Sequence, residues 1–203
     1  MGAEIVLTSD RTLMSNYHNN EFLGFGTCAP SNFIPDWFYS FLFFPPIKSE
    51  KGKSTSAPYG LRKMEAQLLK EGFNVVTVAP DRLSEFSSEA RIIGIHTMDP
   101  FGIGPASSTL AAILKKEPFL AQYFRGLLNS AAIKGAKANG AKIVVGGPGA
   151  WQFVYRPEFA EEHGIDCIVE GEAEKIIGNL FSVLVGIGTC KRIWLQPLIA
   201  SQS

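Results

Sequence analysis

Residues 142–149 read Lys-Ile-Val-Val-Gly-Gly-Pro-Gly, an apolar run that passes directly into a glycine-rich turn. A short run of this kind predicts a strand that is buried on both faces of a parallel sheet. Glycines at its end allow a positive φ and let the backbone approach a ligand without a Cβ atom in the way. The glycines alone fit an ordinary tight turn as well as a ligand-binding turn. No GK[ST] sequence follows them, so the turn is not a P-loop.

Four further apolar runs alternate with segments of helical spacing. We predict strands over residues 4–8, 73–79, 91–96, 142–145 and 166–169, and helices over residues 61–71, 119–134 and 173–185. Ser107 or Ser108 is the expected cap of one more helix. This alternation predicts an α/β fold, a Rossmann-like (flavodoxin-like) sheet of five parallel strands with helices on both faces. Ligands of such sheets lie beyond the carboxyl ends of the strands.

A long aromatic insertion, at about residues 9–60, follows the first strand. It contains seven of the fifteen Phe residues, together with Trp37 and Tyr39. Two interpretations stay open, an extra packing layer on the sheet and a cap over a ligand or partner. We expect part of residues 32–44 to pack on the domain while other aromatic side chains remain exposed as a patch for a catalytic partner. The polar residues 48–56 are expected to form a mobile tip.

Composition and charge exclude several classes of protein. Lys and Arg number 19, as do Asp and Glu, so the formal net charge is zero and a general nucleic-acid binder is disfavoured. The most apolar run, residues 38–46, is too short to span a bilayer, and the N-terminus lacks the basic region of a signal peptide. Cys28, Cys167 and Cys190 are sparse and have no CxxC spacing, which disfavours a disulfide framework and a zinc ribbon. We expect a cytoplasmic protein that binds neither nucleic acid nor membrane.

Candidate polar residues cluster at the predicted strand ends. His96 ends the third strand, where it is either a ligand-facing residue or a hydrogen-bonded structural one, and we expect it to face the cleft. The carboxylates near strand ends are Asp10, Asp99, Glu170, Glu172 and Glu174. They suit acid–base chemistry, hydrogen bonds to ligand amides or helix capping. No Ser-His-Asp or Cys-His arrangement can be argued, so we assign no catalytic residue.

Three segments in the second half of the chain have the order and the sequence pattern of a known module. They are Ile-Ile-Gly-Ile-His at 92–96, Ala-Lys-Ile-Val-Val-Gly-Gly-Pro-Gly at 141–149 and Gly-Ile-Asp-Cys-Ile-Val-Glu-Gly-Glu-Ala-Glu at 164–174. This pattern resembles the cobalamin (B12)-binding domain that precedes the catalytic barrel in B12-dependent radical S-adenosylmethionine proteins. The opening Ile-Val-Leu-Thr-Ser-Asp-Arg-Thr-Leu-Met-Ser-Asn at 5–16 and the long insertion are similar to an archaeal-type branch of that family. The resemblance covers roughly residues 4–185. We therefore expect a cobalamin-binding-like domain over residues 1–185 and an irregular tail over residues 186–203.

The resemblance implies a place for the cofactor. The corrin would lie over the carboxyl ends of the strands, and its nucleotide tail would pass Gly146 and Gly147. The residues assigned to the cofactor are Asp10, His96, Thr97, Met98, Gly146, Gly147, Pro148, Gly149, Glu170, Gly171 and Glu172. The family's DxHxxG motif, which supplies a lower axial histidine, is replaced here by Asp-Arg-Thr-Leu-Met-Ser at 10–15. Cobalt would then be unligated below, or contacted from the insertion by Tyr17 or His18.

Radical S-adenosylmethionine enzymes hold a [4Fe–4S] cluster on a CxxxCxxC motif, and this chain has no such spacing. The resemblance therefore implies that the cluster and S-adenosylmethionine belong to a missing catalytic domain, present in cis or in trans. The expected function is a cobalamin-binding module that orients B12 for a reaction, for example methyl transfer, carried out by that domain. The alternative is a non-catalytic α/β domain that binds a nucleotide-like ligand or a protein partner without cobalamin.

Overall fold

A computed structural model describes residues 2–30, 34–50 and 52–171. The strands are β1 (Ile5–Ser9), β2 (Ser49–Glu50), β3 (Lys53–Ser54), β4 (Val75–Thr77), β5 (Ile92–His96), β6 (Lys142–Gly146) and β7 (Cys167–Val169). The α-helices are α1 (Asp36–Phe43), α2 (Tyr59–Lys70), α3 (Pro105–Leu114), α4 (Phe119–Leu128), α5 (Ala131–Ala138) and α6 (Glu158–Glu162). Short 3-10 helices span Tyr17–Asn19, Glu21–Cys28, Pro80–Glu85 and Ala150–Val154. The predicted helix over 173–185, Glu172 and the tail over 186–203 lie outside the described residues.

The main sheet has five strands in the order β4-β1-β5-β6-β7, and every neighbouring pair is parallel. Counted along the chain, these are the second, first, third, fourth and fifth strands of the sheet. That is the flavodoxin-like order, so the predicted fold class is confirmed. The order reverses between β1 and β5, which places the topological switch point at the carboxyl ends of those two strands.

Alternate side chains of the strands enter two separate cores. Ile5, Leu7, Val75, Ile92 and Val144 share one face with Leu61 and Leu68 of α2. The intervening residues Val6, Val76, Ile93, Ile143 and Ile168 share the other face with residues of α4 and α5, including Phe124, Leu127, Ile133 and Ala136. Successive side chains of a strand point to opposite faces of the sheet, so a sheet covered on both faces needs apolar residues at every position. The buried residues of β1 and β4 follow one another without interruption.

Two predicted helix boundaries are wrong. The single helix predicted over 119–134 is two helices, α4 and α5. They are separate because Ser130 is the N-cap of α5, where its hydroxyl accepts the Ile133 N–H at 3.3 Å. The helix assigned to a serine cap begins at Pro105 instead, with Gly104 as its N-cap. Proline suits the first helical position because the N–H that it lacks has no partner within a helix. Ser107 lies inside α3 and is buried.

The insertion after β1 has more regular structure than a loop. An isolated antiparallel bridge between Ser15 and Pro46 joins the two ends of residues 15–46. Between these residues lie two 3-10 helices and α1, and after them comes the β2–β3 hairpin. The polar residues 48–56 thus form a hairpin, which Arg62 of α2 holds by donating to the Ser54 carbonyl at 2.6 Å. The mobility expected of this tip stays a prediction.

The aromatic residues of the insertion divide as expected between packed and exposed positions. Phe44 is fully buried and makes edge contacts with Phe119 and Tyr123 of α4. Phe22, Phe25, Trp37, Phe38 and Phe41 are exposed, with Phe22 at 74% and Trp37 at 71%. Phe33 lies outside the described residues. Part of the segment therefore packs on the domain, while these five aromatic side chains remain on its surface.

Candidate ligand-binding site

The carboxyl ends of three neighbouring strands are tied together at the switch point. The Ser9 hydroxyl at the end of β1 donates to the His96 carbonyl at the end of β5, at 2.7 Å. The Thr97 N–H donates to the Gly146 carbonyl at the end of β6, at 2.8 Å. The parallel sheet therefore brings His96, Thr97 and Gly146, predicted from separate segments of sequence, to one edge.

The imidazole of His96 is held between α2 and the turn after β6. A methyl group built on Gly60 of α2 would lie 3.1 Å from His96 Cε1, and one built on Gly147 would lie 2.8 Å from His96 Nδ1. Burial lowers the pKa of His96 to about 4, because an imidazolium loses hydration there. At neutral pH the ring is uncharged, with one nitrogen available as a donor and the other as an acceptor.

Gly147 and Gly149 have a structural reason to be glycine. Gly147 has φ +108°, and a methyl group there would lie 2.6 Å from the Thr97 carbonyl oxygen. Gly149 packs on the Met98 carbonyl, and its N–H donates to the Thr97 carbonyl at 3.0 Å. The turn after β6 thus packs backbone to backbone on the loop after β5, which leaves no room for a Cβ atom at either position.

Gly146 is different, because a methyl group there would make ordinary contacts, 3.4 Å from the Val169 carbonyl oxygen and 3.6 Å from Val169 Cβ. It lines a narrow slot of about 70 Å³ between α2 and the sheet. The slot is formed by four glycines, Gly94, Gly146, Gly147 and Gly171, by His96, and by apolar side chains that include Leu61, Met64 and Leu68 of α2. We call this space the glycine slot.

The remaining predicted residues after β5, β6 and β7 lie at the same edge. Met98 is 49% exposed and Pro148 is exposed. Glu170 follows β7 and is half-buried, and Gly171 has φ +95° and lines the glycine slot. Met98, Pro148 and Glu170 do not line the slot, and in the described residues these positions form no cluster of side-chain charges.

Asp10 follows β1 and is turned into the protein. Its Oδ1 accepts the Thr12 N–H at 2.9 Å and also the Thr12 hydroxyl. Burial raises the pKa of Asp10 to about 6, although the hydrogen bonds from Thr12 oppose that shift. Asp10 does not line the glycine slot, so its contacts in the described residues are those of a turn-forming residue.

Tyr17 and His18, named as candidates for cobalt, make contacts within the insertion. The Tyr17 hydroxyl donates to the Thr12 carbonyl at 2.7 Å, and burial raises its pKa to about 12. The His18 Nε2 lies 3.0 Å from the Phe41 carbonyl oxygen, and the residue is exposed. Neither residue lines the glycine slot.

Gln152 is a buried polar residue that the sequence did not single out. Its Nε2 donates to Asp99 Oδ1 at 2.7 Å, and its Oε1 accepts the Phe101 N–H at 3.1 Å. Asp99 Oδ1 also accepts the N–H groups of Ile103 and Gly104 at 3.0 and 3.1 Å. These bonds fix the loop after β5 against the segment after β6. The surrounding Trp-Gln-Phe-Val-Tyr sequence at 151–155 has no feature that identifies such a role.

Metal-ligating side chains are dispersed over the described part of the chain, where no group of three or more His, Cys, Asp or Glu side chains is placed to hold a metal ion. Cys28 is half-buried and Cys167 is buried in β7. Within residues 2–30, 34–50 and 52–171, no helix has the length and apolar character needed to cross a membrane.

Comparison of the chain with protein-family models, curated proteins and solved structures finds no match.

Proposed function

We propose that this chain is a cytoplasmic cobalamin-binding module that orients B12 for a reaction, for example methyl transfer, carried out by a separate radical S-adenosylmethionine barrel. The observation that carries the proposal is the glycine slot at the carboxyl edge of a flavodoxin-like sheet. The cofactor would supply the organometallic chemistry, and the described residues would supply binding and orientation.

The chemistry of the glycine slot suits a flat heterocycle on an extended tail. Gly94, Gly146 and Gly171 contribute no side chain, so a ring can lie against the sheet backbone. Leu61 and Met64 of α2 supply an apolar wall opposite. The uncharged imidazole of His96 supplies a polar group at the slot, which matches the usual pattern of an apolar pocket with a few orienting polar groups.

The size of the slot imposes a condition on the proposal. Pockets that enclose organic ligands usually exceed about 300 Å³, whereas the glycine slot holds about 70 Å³. The nucleotide tail therefore fits only if α2 moves outward. Leu61, Leu68 and a hydrogen bond of 3.1 Å from the Thr77 N–H to Glu65 Oε1 hold α2 in place, so binding must separate some of these contacts.

Exposed apolar side chains that a macrocycle would cover follow the ends of β5 and β6. Met98 on the loop after β5, and Trp151 and Tyr155 on the segment after β6, are exposed apolar side chains. Trp151 and Tyr155 make an edge contact at 5.9 Å between ring centroids. Covering these groups with the corrin would remove apolar surface from water, which favours binding. No axial ligand is assigned, because Tyr17 and His18 make their contacts within the insertion.

The test is retention of hydroxocobalamin by the purified protein through gel filtration, read from the visible spectrum. Gly146→Val adds bulk in the slot where the backbone is unstrained, and Gly135→Ala in α5, where a Cβ atom meets nothing within 4 Å, is the matched glycine control. We expect the wild type and Gly135→Ala to retain cobalamin and Gly146→Val to lose it while keeping its unfolding midpoint. Gly147 is unsuited to this test, because its positive φ makes any substitution a perturbation of the fold.

Two results would overturn the proposal. One is a wild-type protein that emerges without cobalamin. The other is a folded Gly146→Val protein that retains cobalamin as well as the wild type does, since the tail would then not pass the glycine slot.

The alternative function, a non-catalytic domain that docks on a protein partner, is favoured by the exposed aromatic residues of the insertion. Phe22 and Phe25 pack against each other at 5.5 Å between ring centroids while both remain exposed. Exposed apolar patches of this kind mark interaction surfaces. Failure of the wild-type protein to retain cobalamin would favour this alternative over the proposal.

A further inference from the structure

A second and larger cleft, which we call the Arg11 cleft, lies where β1 and β4 end, between the insertion and helix α4. It has a volume of about 570 Å³ and shares no lining residue with the glycine slot. Arg11 enters it from the turn after β1, and Ala79 and Pro80 enter from the segment after β4. Its volume falls within the range of pockets that enclose small organic ligands, about 300–1,000 Å³.

The guanidinium group of Arg11 is the unusual feature of this cleft. Its Nε atom is buried and has no hydrogen-bond partner, and no ion pair to Arg11 occurs among the described residues. The neighbouring carboxylate of Asp10 is turned away to Thr12. A buried N–H group without a partner is costly, and an acceptor group of a ligand in the cleft would supply the partner that the described residues do not.

The charges around the cleft restrict what that partner can be. Arg11 is the one cationic side chain among the described lining residues, and Asp36 and Asp81 also line the cleft. Both carboxylates are exposed, at 54% and 63% of the side chain, so they belong to the outer part of the cleft. Each of them is paired with a cation, Asp36 with Lys116 at 3.8 Å and Asp81 with Arg82 at 4.0 Å. The single guanidinium group inside the cleft therefore matches the charge of a monoanion, whereas a dianion would keep one charge unpaired there.

The walls of the cleft favour a ligand with an apolar body. Met14, Ile47, Phe119, Tyr123 and Leu127 line it. Phe119 and Leu127 are buried core residues of α4, and Met14 and Ile47 are buried at the two ends of the insertion. An aromatic or branched group in this space would replace water with apolar contacts.

We propose that this cleft binds a small monocarboxylate with an aromatic or branched apolar body, and that the Arg11 guanidinium receives the carboxylate. Arginine suits this role because its planar fork can donate two parallel hydrogen bonds to one carboxylate. The site is independent of the proposed cobalamin site, so Gly146→Val should leave it unchanged.

The probe is 3-phenylpropanoate, with binding measured by ligand-observed NMR and by titration of amide chemical shifts. Its neutral isostere 3-phenylpropanamide and the dianion phenyl phosphate are the comparison ligands. We expect the amide to bind at least about tenfold more weakly than the carboxylate, as loss of a charge-assisted hydrogen bond requires. Phenyl phosphate should also bind more weakly than the carboxylate.

Three variants assign the effect to Arg11. Arg11→Met should weaken binding of the carboxylate at least about tenfold, and Arg11→Lys should bind it at an intermediate level because lysine donates from a point charge. Arg91→Met, which breaks an exposed ion pair with Glu4 before β5, is the matched arginine control and should bind as the wild type does. The unfolding midpoint of Arg11→Met should not fall, because the buried Nε makes no hydrogen bond that the variant could lose.

The proposal is overturned if the wild type does not bind 3-phenylpropanoate. It is equally overturned if the amide or phenyl phosphate binds as tightly, or if Arg11→Met and Arg11→Lys both bind as the wild type does. A lower unfolding midpoint for Arg11→Met with unchanged carboxylate binding by Arg11→Lys would assign Arg11 a structural role instead.

Discussion

Two buried titratable side chains at the switch point should give opposite pH dependences that cancel in the wild-type protein. Burial raises the pKa of Asp10 to about 6 from its ordinary value of 3.8, and lowers the pKa of His96 to about 4 from 6.5. Between pH 4 and 6 the folded protein therefore keeps both groups uncharged. The unfolded chain carries a negative Asp10 and a positive His96 over the same interval.

The sign of each contribution follows from the proton balance. The stability associated with Asp10 is fully present below pH 3.8 and is lost as pH rises to about 6, because the unfolded carboxyl group ionises first. The stability associated with His96 is fully present above pH 6.5 and is lost as pH falls to about 4, because the unfolded imidazole is protonated first. At about 1.4 kcal/mol for each pH unit between the folded and unfolded pKa values, each contribution is about 3 kcal/mol.

The perturbations are Asp10→Asn and His96→Gln, with the free energy of unfolding measured by urea denaturation at pH 4, 5, 6 and 7 and constant ionic strength. Differences from the wild type remove the contributions of all other groups. The unfolding free energy of Asp10→Asn should rise by about 3 kcal/mol relative to the wild type from pH 4 to pH 6 or 7. That of His96→Gln should fall by a similar amount, about 3 kcal/mol, over the same interval.

The double variant is the control for these two slopes. Its unfolding free energy should run parallel to that of the wild type, because both opposite contributions have been removed. If the curves of Asp10→Asn and His96→Gln both run parallel to that of the wild type, neither group is desolvated in the folded state. The reasoning would then fail at its first step, the burial of the two side chains.

Two further predictions concern the loops and the insertion. Gly147→Ala should lower the free energy of unfolding by at least about 2 kcal/mol, because it combines backbone strain with overpacking. Gly146→Ala should stay within about 1 kcal/mol of the wild type, because the added methyl group makes only ordinary contacts. Equal urea midpoints for the two variants would contradict the geometry of the turn. Phe44→Ala should lower the free energy of unfolding by about 3–5 kcal/mol, as other truncations of buried aromatic residues do. Phe22→Ala should change it by no more than about 0.5 kcal/mol, because the Phe22 side chain is exposed. Thermal and urea unfolding of the two variants tests this contrast, and a small loss for Phe44→Ala would refute it.

The sheet was predictable because its strands are buried on both faces and therefore leave continuous apolar runs in the sequence. The first and last residues of the strands and helices were less predictable. The second strand was predicted over 73–79, but the structure has Val75–Thr77. Its start is later than predicted because the Phe73 N–H donates to the Leu68 carbonyl and closes the end of α2. Gly72, with φ +89°, is a helix-ending glycine of the usual kind, but the hydrogen bond made by the Phe73 N–H has no signal of its own in the sequence.

The candidate sites divide in the same way. His96, Gly146 and Gly171 could be predicted to lie together, because the carboxyl ends of parallel strands meet at one edge whatever the loops do. The Arg11 cleft could not be predicted, because its walls come from Met14, Ile47 and α4, and their meeting depends on the path of the insertion. No periodicity in residues 9–60 indicates that Ser15 and Pro46 would form a bridge.

Helix α1 links the core, the cleft and the exposed aromatic surface. Ser40 on this helix, and Phe44 directly after it, are buried, and Asp36 lines the Arg11 cleft. Trp37 and Phe41, on the same helix, are exposed. A helix that is apolar on nearly every side is normally covered on every side, so the exposed side of α1 is suited to a further contact. Because Asp36 lies one turn before Ser40, any partner that fixes α1 also fixes one wall of the cleft.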